Sequence, residues 1–474
     1  MPAHRLRYVS TRGQAPVLDF EDVLLTGLAR DGGLYVPETW PQIDHDELTA
    51  LVGRPYGEAA MRVIRPFIGG AIGDRDLGAM IEDAYRGFAH KAVAPLVHLG
   101  PGEFLLELFH GPTLAFKDFA LQLLGRLFDH VLSKRGKRVV IVGATSGDTG
   151  SAAIEAFRGR AASDVFILHP KGRVSEVQRR QMTTVLDQNI RNIAVEGTFD
   201  DCQALVKAMF NDAAFRDEFS LSAVNSINWA RIMAQVVYYV TSALELGAPA
   251  RKVAYVVPTG NFGDVYAGYV AKRMGLPIER LIVATNANDI LRRFFETGRY
   301  AQGRVQPTTS PSMDIQVSSN FERLLFDLCR RDGAEVAALM RLFDRDKAIE
   351  VGGNVLGVAR AEFAAGRAKE DEVRATIAAV RRETGYVLDP HSAVGVAVGR
   401  KTARDPGTPL VALATAHPAK FPDAVEAAIG ARPALPPRLA DLPSRPERLS
   451  ELPNDLRAIQ DHIRRELGGA GGRR

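Results

Sequence analysis

The sequence predicts an α/β fold built on parallel sheets, preceded by a mixed domain. Between residues 96 and 430, short apolar runs are followed by Gly-rich turns and then by helical segments. Strands that are apolar on both faces and alternate with amphipathic helices are typical of parallel sheets covered on both sides. Ligands of such folds bind at the carboxyl ends of the strands, where these turns lie.

Strand–turn–helix units carry this prediction. Each opens with a β-branched apolar run, such as VVIV or VAYVV, and continues through a turn into a helical pattern. The units are residues 139–157, 253–275, 281–295 and 410–430.

The chain before residue 95 does not follow this alternation. A turn at 31–33 precedes the short run LYVP, and the remaining periodic stretches are helical. The helices expected there are residues 20–28, 46–52, 57–67 and 75–88.

A chain of 474 residues exceeds what one hydrophobic core fills, so several domains are expected. We predict an N-terminal domain over residues 1–95 and a catalytic domain over 96–430, whose smaller, mobile half spans about 130–235. Residues 431–474 are expected to form a Pro- and Arg-rich strap, a short helix near 454–467 and a disordered tail.

Charge and cysteine usage restrict the class of protein. The 60 basic and 56 acidic residues are interspersed, so nucleic acid is not an expected partner. Two cysteines without a CxxC pair favour a reducing compartment. The start lacks a signal-peptide core, and no apolar run reaches membrane-spanning length, so we expect a cytoplasmic protein without a membrane partner.

Lys117 is the residue that the sequence singles out for chemistry. Gly111-Pro112 breaks the chain ahead of it, and Thr113 is a candidate N-cap for a helix that follows. Burial of an ammonium group lowers its pKa, and a Schiff-base lysine must supply a neutral amine. The alternative is a lysine at the edge of the stripe with its head in water. The apolar stripe would hold Leu114, Lys117, Leu121 and Leu124.

Two Gly-rich turns are candidate anion cradles. Residues 258–264, PTGNFGD, follow a strand and open a helix, so backbone N–H groups there can bind a phosphate. Residues 143–150, GATSGDTG, add the hydroxyls of Thr145, Ser146 and Thr149. For both segments a plain strand-to-helix turn is the alternative, with Ser146 or Asp148 as a cap in the second.

Two further segments hold polar side chains near strand or helix ends. Thr415 ends the strand LVALAT, residues 410–415, and would point into the same crevice if that strand belongs to the same sheet; the alternative is a β-branched strand residue. The segment 225–231 clusters groups that can hold a phosphate or simply cap a helix, namely Asn225, Ser226, Asn228 and Arg231. No Cys/His cluster has ligand spacing, so we predict no metal.

Taken together, these segments resemble threonine synthase among the fold-type-II pyridoxal phosphate enzymes, whose fold is like that of the tryptophan synthase β subunit. The resemblance runs from residue 7 to about 422 and is to the long form with an N-terminal domain. The matching pieces are RYVSTRGQAP, LFHGPTLAFKDFALQ, GATSGDTGSAAIEAF, VNSINWARI, PTGNFGDVYAGYVAKRMG, SPSMDI, DPHSAVGVAV and ATAHPAKFP.

The resemblance implies a role for each motif. Lys117 would carry pyridoxal phosphate as a Schiff base, and Thr415 would face the pyridine nitrogen. The cofactor phosphate would be surrounded by Gly260, Asn261, Phe262, Gly263 and Asp264. The substrate carboxylate would be held by Thr145, Ser146, Gly147, Asp148 and Thr149. For the substrate phosphate, the hypothesis is Ser226, Asn228 and Arg231.

The implied reaction converts O-phosphohomoserine and water to threonine and phosphate. A phospho-lyase or an amino-acid dehydratase with the same cofactor is the alternative, and a catalytically silent binding protein is a second one. The expected partner is the small-molecule substrate, and the expected assembly is a monomer or a dimer.

Overall fold

A computed structural model describes residues 5–223 and 226–468. Its strands are β1 (Tyr8–Ser10), β2 (Tyr35–Pro37), β3 (Leu96–Gly100), β4 (Glu103–Glu107), β5 (Val139–Ala144), β6 (Ser163–Pro170), β7 (Ile190–Glu196), β8 (Leu221–Ser222), β9 (Val253–Pro258), β10 (Ile278–Thr285), β11 (Arg299–Ala301), β12 (Ala348–Glu350), β13 (Phe363–Arg367), β14 (Leu410–Ala414) and β15 (Ser450–Pro453).

The helices alternate with these strands along most of the chain. They are α1 (Phe20–Leu25), α2 (His45–Ala50), α3 (Tyr56–Ile68), α4 (Asp74–Tyr85), α5 (Lys117–Lys134), α6 (Asp148–Phe157), α7 (Glu176–Thr183), α8 (Phe199–Asn211), α9 (Ala213–Glu218), α10 (Trp229–Glu245), α11 (Gly263–Arg273), α12 (Ile290–Thr297), α13 (Phe321–Leu328), α14 (Gly333–Asp346), α15 (Gly353–Glu362), α16 (Glu370–Thr384), α17 (Pro390–Lys401), α18 (Pro422–Ile429) and α19 (Leu456–Gly468).

The chain divides into two compact units. The larger unit comprises Met1–Ala120 and Ser226–Ala434, and the smaller unit comprises Leu121–Asn225 and Leu435–Arg474. Each unit contains one large sheet, so the α/β fold class predicted from the alternation is confirmed.

The sheet of the larger unit has the order β13-β10-β9-β14-β4-β3. Its pairs are parallel except for β3 with β4. Every residue of β9 and β14 is buried, as expected for central strands covered on both faces. Since β4, β14, β9 and β10 run in one direction, the segments that follow them leave from the same edge of the sheet.

The N-terminal STRG segment is anchored within the larger unit by α13. Thr11 donates its hydroxyl proton to Glu322 Oε1 at 2.6 Å, and Arg12 forms a 3.0 Å ion pair with Glu322 Oε2. Arg323, the next residue, is fully buried and donates to the carbonyl of Tyr35 in β2 at 3.1 Å. These long-range contacts attach the segment near the chain start, and β2, to α13.

The smaller unit has a parallel sheet of order β15-β7-β6-β5-β8. β15 pairs with β7, from Ser450 opposite Ile193 to Pro453 opposite Glu196, so the C-terminal segment completes this sheet. The core between the sheet and α8 and α19 includes Val142, Phe166, Leu168, Ile193, Met209, Ile459 and Ile463.

Most of the predicted elements are confirmed within a few residues, but the entry into α5 was predicted wrongly. The helix begins at Lys117, so Thr113 is not its N-cap. Leu114 has a φ of 62° and lies outside the helical face on which it was placed. The physical reason is that Asp118 accepts bonds from the Thr113 amide at 2.8 Å and hydroxyl at 2.7 Å, which closes a turn ahead of the helix.

Within residues 5–223 and 226–468, no helix has both the length and the apolar character needed to cross a bilayer. Across the same ranges, the His, Cys, Asp and Glu side chains do not gather in groups that would hold a metal ion.

Candidate active site

The chain segments after β4 and β14 are hydrogen-bonded to each other at the edge of the larger sheet. The Leu108 amide donates to the Ala414 carbonyl at 2.9 Å, and the Phe116 amide donates to the Thr415 carbonyl at 2.8 Å. Ala115 and Ala416 form an isolated antiparallel bridge between the same segments. Lys117 and Thr415, which are about 300 residues apart in sequence, are therefore held close together.

Lys117 is the first residue of α5 and is largely buried, with 8% of its surface exposed. Its Nζ lies 5.2 Å from the centroid of the Phe116 ring. Burial raises the pKa of Asp264, the second residue of α11, and the charge of Lys117 partly opposes that rise, so the two side chains lie near each other. The interpretation of Lys117 as a solvent-exposed head on a packed stem is therefore not supported.

The turn before Lys117 is braced by a second lysine. Lys420 is fully buried and its Nζ donates to the Thr113 carbonyl at 2.7 Å. Together with the Thr113–Asp118 bonds, this contact fixes the turn from which Lys117 projects. These contacts restrict the position of the first residue of α5.

Residues 260–264, for which we predict an anion cradle, run from a tight turn after β9 into the start of α11. Phe262 has φ and ψ of 64° and 0°, which is the left-handed region, and Gly263 begins α11. A left-handed residue followed by a right-handed one turns successive N–H groups toward a common point, and the first N–H groups of a helix have no intrahelical acceptor. The strain of a positive φ at a bulky residue is typical of functional sites.

Gly260 is required by close packing. A Cβ atom built on Gly260 would lie 2.9 Å from the Ser312 carbonyl oxygen and 3.2 Å from Met313 Cα. Both are backbone atoms, which have little freedom to move. The SPSMDI segment therefore lies directly against the cradle, and only glycine leaves room for it.

Two side chains of the cradle contact other parts of the larger unit. The Phe262 side chain is buried among Phe295, Phe321 and Phe363, so only its backbone is available to a ligand. Hydroxyl groups on α10 donate to Asp264 Oδ1, from Tyr238 at 2.5 Å and Tyr239 at 3.1 Å.

Asp264 is a buried carboxyl group. Its Oδ2 has no hydrogen-bond partner among the described residues. Burial raises its pKa from 3.8 to about 6, against the lowering effect of the tyrosine hydroxyls and of Lys117. An ionised Asp264 is therefore costly in the folded protein at neutral pH.

This cost predicts a pH-dependent effect of Asp264→Asn on the ligand-free protein. The folded-state pKa lies above the unfolded value, so the contribution of Asp264 to wild-type stability falls as pH rises from about 4 through about 6. The variant escapes this loss, and its free energy of unfolding should exceed that of wild type by up to about 3 kcal/mol at pH 7.5. Denaturant unfolding at pH 7.5 and 5.0 checks this; a difference that does not shrink at pH 5.0 would contradict it.

The segment 226–231 leads into α10 and is attached to the cradle through residues 319 and 320. Ser226 Oγ lies 3.0 Å from Ser319 Oγ, and the Ser226 carbonyl accepts a bond from Asn320 Nδ2 at 3.1 Å. Asn228 is the N-cap of α10: its Oδ1 accepts from the Ala230 amide at 3.0 Å, and its Nδ2 donates to the Leu24 carbonyl at 2.8 Å. The capping interpretation is therefore confirmed for Asn228, which leaves only part of its amide for a ligand.

Arg231 is the most informative side chain of this segment. It is 5% exposed, and its Nε and Nη1 have no hydrogen-bond partner among the described residues. Burial lowers its pKa to about 10, which still leaves the guanidinium charged at neutral pH. Buried charges are normally paired, so an arginine of this kind fits a site for an anion such as phosphate.

The second predicted cradle, residues 145–149, belongs to the smaller unit. Thr145 Oγ1 accepts bonds from the amides of Gly147 and Gly150, both at 2.9 Å, and Asp148 accepts one from Gln178 Nε2 at 2.8 Å. These two side chains shape the loop, while Ser146 is exposed and Thr149 is half-buried.

Gly147 shows why this loop has its sequence. It has a φ of 140° and would place a Cβ atom 2.4 Å from the Gln178 amide carbon. It occupies the N-cap position of α6 without a side-chain cap, so neither Ser146 nor Asp148 is the cap that we considered.

The larger unit thus brings together Lys117, the 260–264 cradle and Thr415 at one sheet edge, and Ser319 and Asn320 link the segment 226–231 to the cradle. Asn225 lies outside the described residues. Sequence reasoning missed the polar run Ser318–Asn320 and Arg323, which bond to both segments. The only local signal was a polar run ahead of a helix, which also fits an ordinary helix start.

Comparison with known proteins identifies the family. Three family models match in order: "Threonine synthase N terminus" over residues 7–85, "Pyridoxal-phosphate dependent enzyme" over 94–370 and "Threonine synthase, C-terminal" over 392–463. Threonine synthase of Pseudomonas aeruginosa is 59% identical over 97% of this chain and 98% of its own length.

Solved structures agree with this result. The crystal structure of pyridoxal phosphate-bound threonine synthase from Brucella melitensis is 58% identical and covers 97% of this chain and 99% of its own, with a TM-score of 0.96. Yeast threonine synthase is 40% identical and covers 98% and 99%, with a TM-score of 0.94. A buried lysine beside a glycine anion cradle, and these matches over nearly the whole length, have one explanation: the chain belongs to the threonine synthase family of pyridoxal phosphate-dependent enzymes.

Proposed function

We propose that this protein converts O-phosphohomoserine and water to threonine and phosphate with pyridoxal phosphate as cofactor. The observation that carries the proposal is the buried lysine at a sheet edge beside a cradle that only glycine fits. Similarity to threonine synthases over nearly the whole chain supports the choice of reaction. The two cysteines, both free and buried, favour a reducing compartment such as the cytoplasm.

The larger unit offers suitable partners for each part of the cofactor. We assign the Schiff base to Lys117 Nζ and the phosphate to the backbone N–H groups of residues 260–264, whose Asp264 carboxyl faces α10 instead. We assign the Thr415 hydroxyl as the partner of the cofactor's pyridine nitrogen. A hydroxyl does not hold a proton on that nitrogen as an aspartate would, so Thr415 leaves the ring less electron-withdrawing.

Charge and hydrogen-bond donors support the assignment of the substrate-binding residues. We assign the substrate phosphate to Arg231 and Ser226, with Asn228 orienting this segment, because the Arg231 guanidinium is buried and incompletely paired. We assign the substrate carboxylate to residues 145–149, where Ser146 and Thr149 supply hydroxyls and the start of α6 supplies backbone donors.

We assign proton transfer during the reaction to Lys117. When bound, the cofactor withdraws electrons from the substrate carbons next to the amino group, which makes their protons acidic. We propose that Nζ of Lys117 takes the Cα proton and moves protons at Cβ and Cγ as phosphate leaves and water adds. Because the braced 113–118 turn holds this amine close to Cα, Cβ and Cγ, one group can transfer protons at all three carbons.

Gly260→Ala should weaken cofactor binding. The added methyl group meets the Ser312 carbonyl at 2.9 Å and must displace the loop from its packed position. Overpacking of this kind costs about 1–3 kcal/mol, so the cofactor Kd should rise about tenfold or more. Absorbance titration of the cofactor-free protein with pyridoxal phosphate measures this Kd. Gly357→Ala, at an exposed helix position with open space, is the matched control and should leave the Kd unchanged.

The reaction is tested by incubating the holoprotein with O-phosphohomoserine and measuring phosphate, threonine and 2-oxobutyrate together. We expect one threonine for each phosphate released. Phosphate accompanied by 2-oxobutyrate and no threonine would identify the protein as an eliminating phospho-lyase and reject the proposal.

A further inference from the structure

The segment Ser318–Asn320 binds the backbone of both candidate anion sites in the larger unit. Ser318 Oγ donates to the Gly260 carbonyl at 2.6 Å, and the Asn320 amide donates to the Asn261 carbonyl at 3.0 Å. Asn320 Nδ2 donates to the carbonyls of Asn261 and Ser226, both at 3.1 Å. These bonds fix the cradle relative to the 226–231 segment.

The same bonds determine which way the cradle faces. In a trans peptide the carbonyl and the following N–H point in opposite directions. Because the carbonyls of Gly260 and Asn261 point to residues 318–320, the N–H groups of Asn261 and Phe262 point away from them. The backbone donors assigned to the cofactor phosphate therefore lie on the face of the loop opposite Ser318–Asn320.

Ser319 differs from its two neighbours. Ser318 is 4% exposed and Asn320 is fully buried, and both bond to backbone carbonyls. Ser319 is half-buried, and its Oγ bonds to side chains: it donates to Asn261 Oδ1 at 3.1 Å and lies 3.0 Å from Ser226 Oγ. Ser319 thus lies between Asn261, which belongs to the cofactor loop, and Ser226, which is assigned to the substrate phosphate.

The donor inventory of this group suits an anion. A serine hydroxyl has one proton that rotates to the best acceptor, and the Asn261 amide carries two more on Nδ2. In the ligand-free protein, the two serine hydroxyl groups use their protons in the bond between the two serines and in the bond to Asn261 Oδ1. A phosphate, which only accepts at its charged oxygens, can draw both hydroxyl protons and the amide toward itself.

We propose that Ser319 is a binding residue for the substrate phosphate, acting beside Ser226, and that Ser318 and Asn320 are positioning residues for the cofactor loop. The inference rests on the proposed function, because it uses the assignment of 226–231 to the substrate phosphate. The cofactor phosphate is not the ligand of Ser319, since the backbone donors point away from it.

The test compares Ser319→Ala, Ser319→Thr and Ser318→Ala. Calorimetry of inorganic phosphate binding and the KM for O-phosphohomoserine, from threonine formation, use the holoproteins. The cofactor Kd comes from absorbance titration of the cofactor-free proteins. Loss of one hydrogen bond to a charged group should raise both the phosphate Kd and the KM about tenfold in Ser319→Ala, while Ser319→Thr keeps the hydroxyl and restores binding. Ser318→Ala should instead weaken cofactor binding.

Two results would overturn the inference. One is an unchanged phosphate Kd in Ser319→Ala; the other is a rise of its cofactor Kd as large as that of its phosphate Kd. Neither depends on which product forms. A wild-type protein that makes threonine while Ser319→Ala binds phosphate normally would remove this inference alone, whereas a wild type that makes no threonine would remove the proposed function.

Discussion

Lys117→Ala is expected to reduce threonine formation by about 10³-fold or more, because the variant loses both the covalent attachment of the cofactor and the amine that moves protons. No other lysine is expected to replace it: Lys420 is buried and its Nζ is bonded to the Thr113 carbonyl. Steady-state turnover of O-phosphohomoserine measures the loss. The absorbance of the variant should show cofactor that is bound without a covalent link.

The control for this variant is Lys252→Ala, since Lys252 is exposed just before β9 and should not affect turnover. Added methylamine, a small amine that can enter the space left by the lysine side chain, should restore part of the lost rate in Lys117→Ala. If Lys117→Ala retained more than about a tenth of the wild-type rate, the central role of this side chain would be wrong.

Arg231→Met is expected to affect binding and stability in opposite directions. Removing a buried charge from an anion site costs about 2 kcal/mol or more of binding, so the KM for O-phosphohomoserine and the Kd for inorganic phosphate should rise about 30-fold or more. In the ligand-free protein, the same guanidinium has Nε and Nη1 buried without partners among the described residues. Replacing it with an apolar side chain of similar length should therefore raise the free energy of unfolding by about 1 kcal/mol.

The opposite signs make this prediction specific. A purely structural arginine would lower stability when removed, and a purely electrostatic surface effect would leave the free energy of unfolding unchanged. Arg341→Met, on the exposed face of α14, is the control and should change neither quantity. Denaturant unfolding without phosphate, together with calorimetric titration of phosphate, tests both halves. Loss of stability with unchanged phosphate affinity would assign Arg231 to the fold and not to the site.

The parts of the fold that depend on local pattern were predictable from sequence. The apolar runs at β5, β9 and β14 and the Gly-rich turns after them follow from short-range chemistry, and the structure confirms them. The entry into α5 was not predictable in this way, because it depends on a positive φ at Leu114 and on the Asp118 carboxylate reaching back to Thr113.

The candidate site shows the same division. Lys117 and the glycines of the cradle stand out in sequence, because a lysine in an apolar stripe and a Gly-rich turn are unusual locally. The orientation of the Asp264 carboxyl toward Tyr238 and the bond between Ser319 and Ser226 are not visible, since they join residues 26 and 93 positions apart. Such pairings arise from the order of strands in the sheet, which a single sequence does not specify.

The most direct test of the account is to locate the bound cofactor on the chain. The holoprotein is treated with borohydride, which fixes a lysine–cofactor bond permanently, and is then digested and analysed by mass spectrometry. We predict that the added mass lies on the peptide containing Lys117 and on that residue alone. A modification on a different lysine, or a protein that takes up no pyridoxal phosphate on reconstitution, would contradict it.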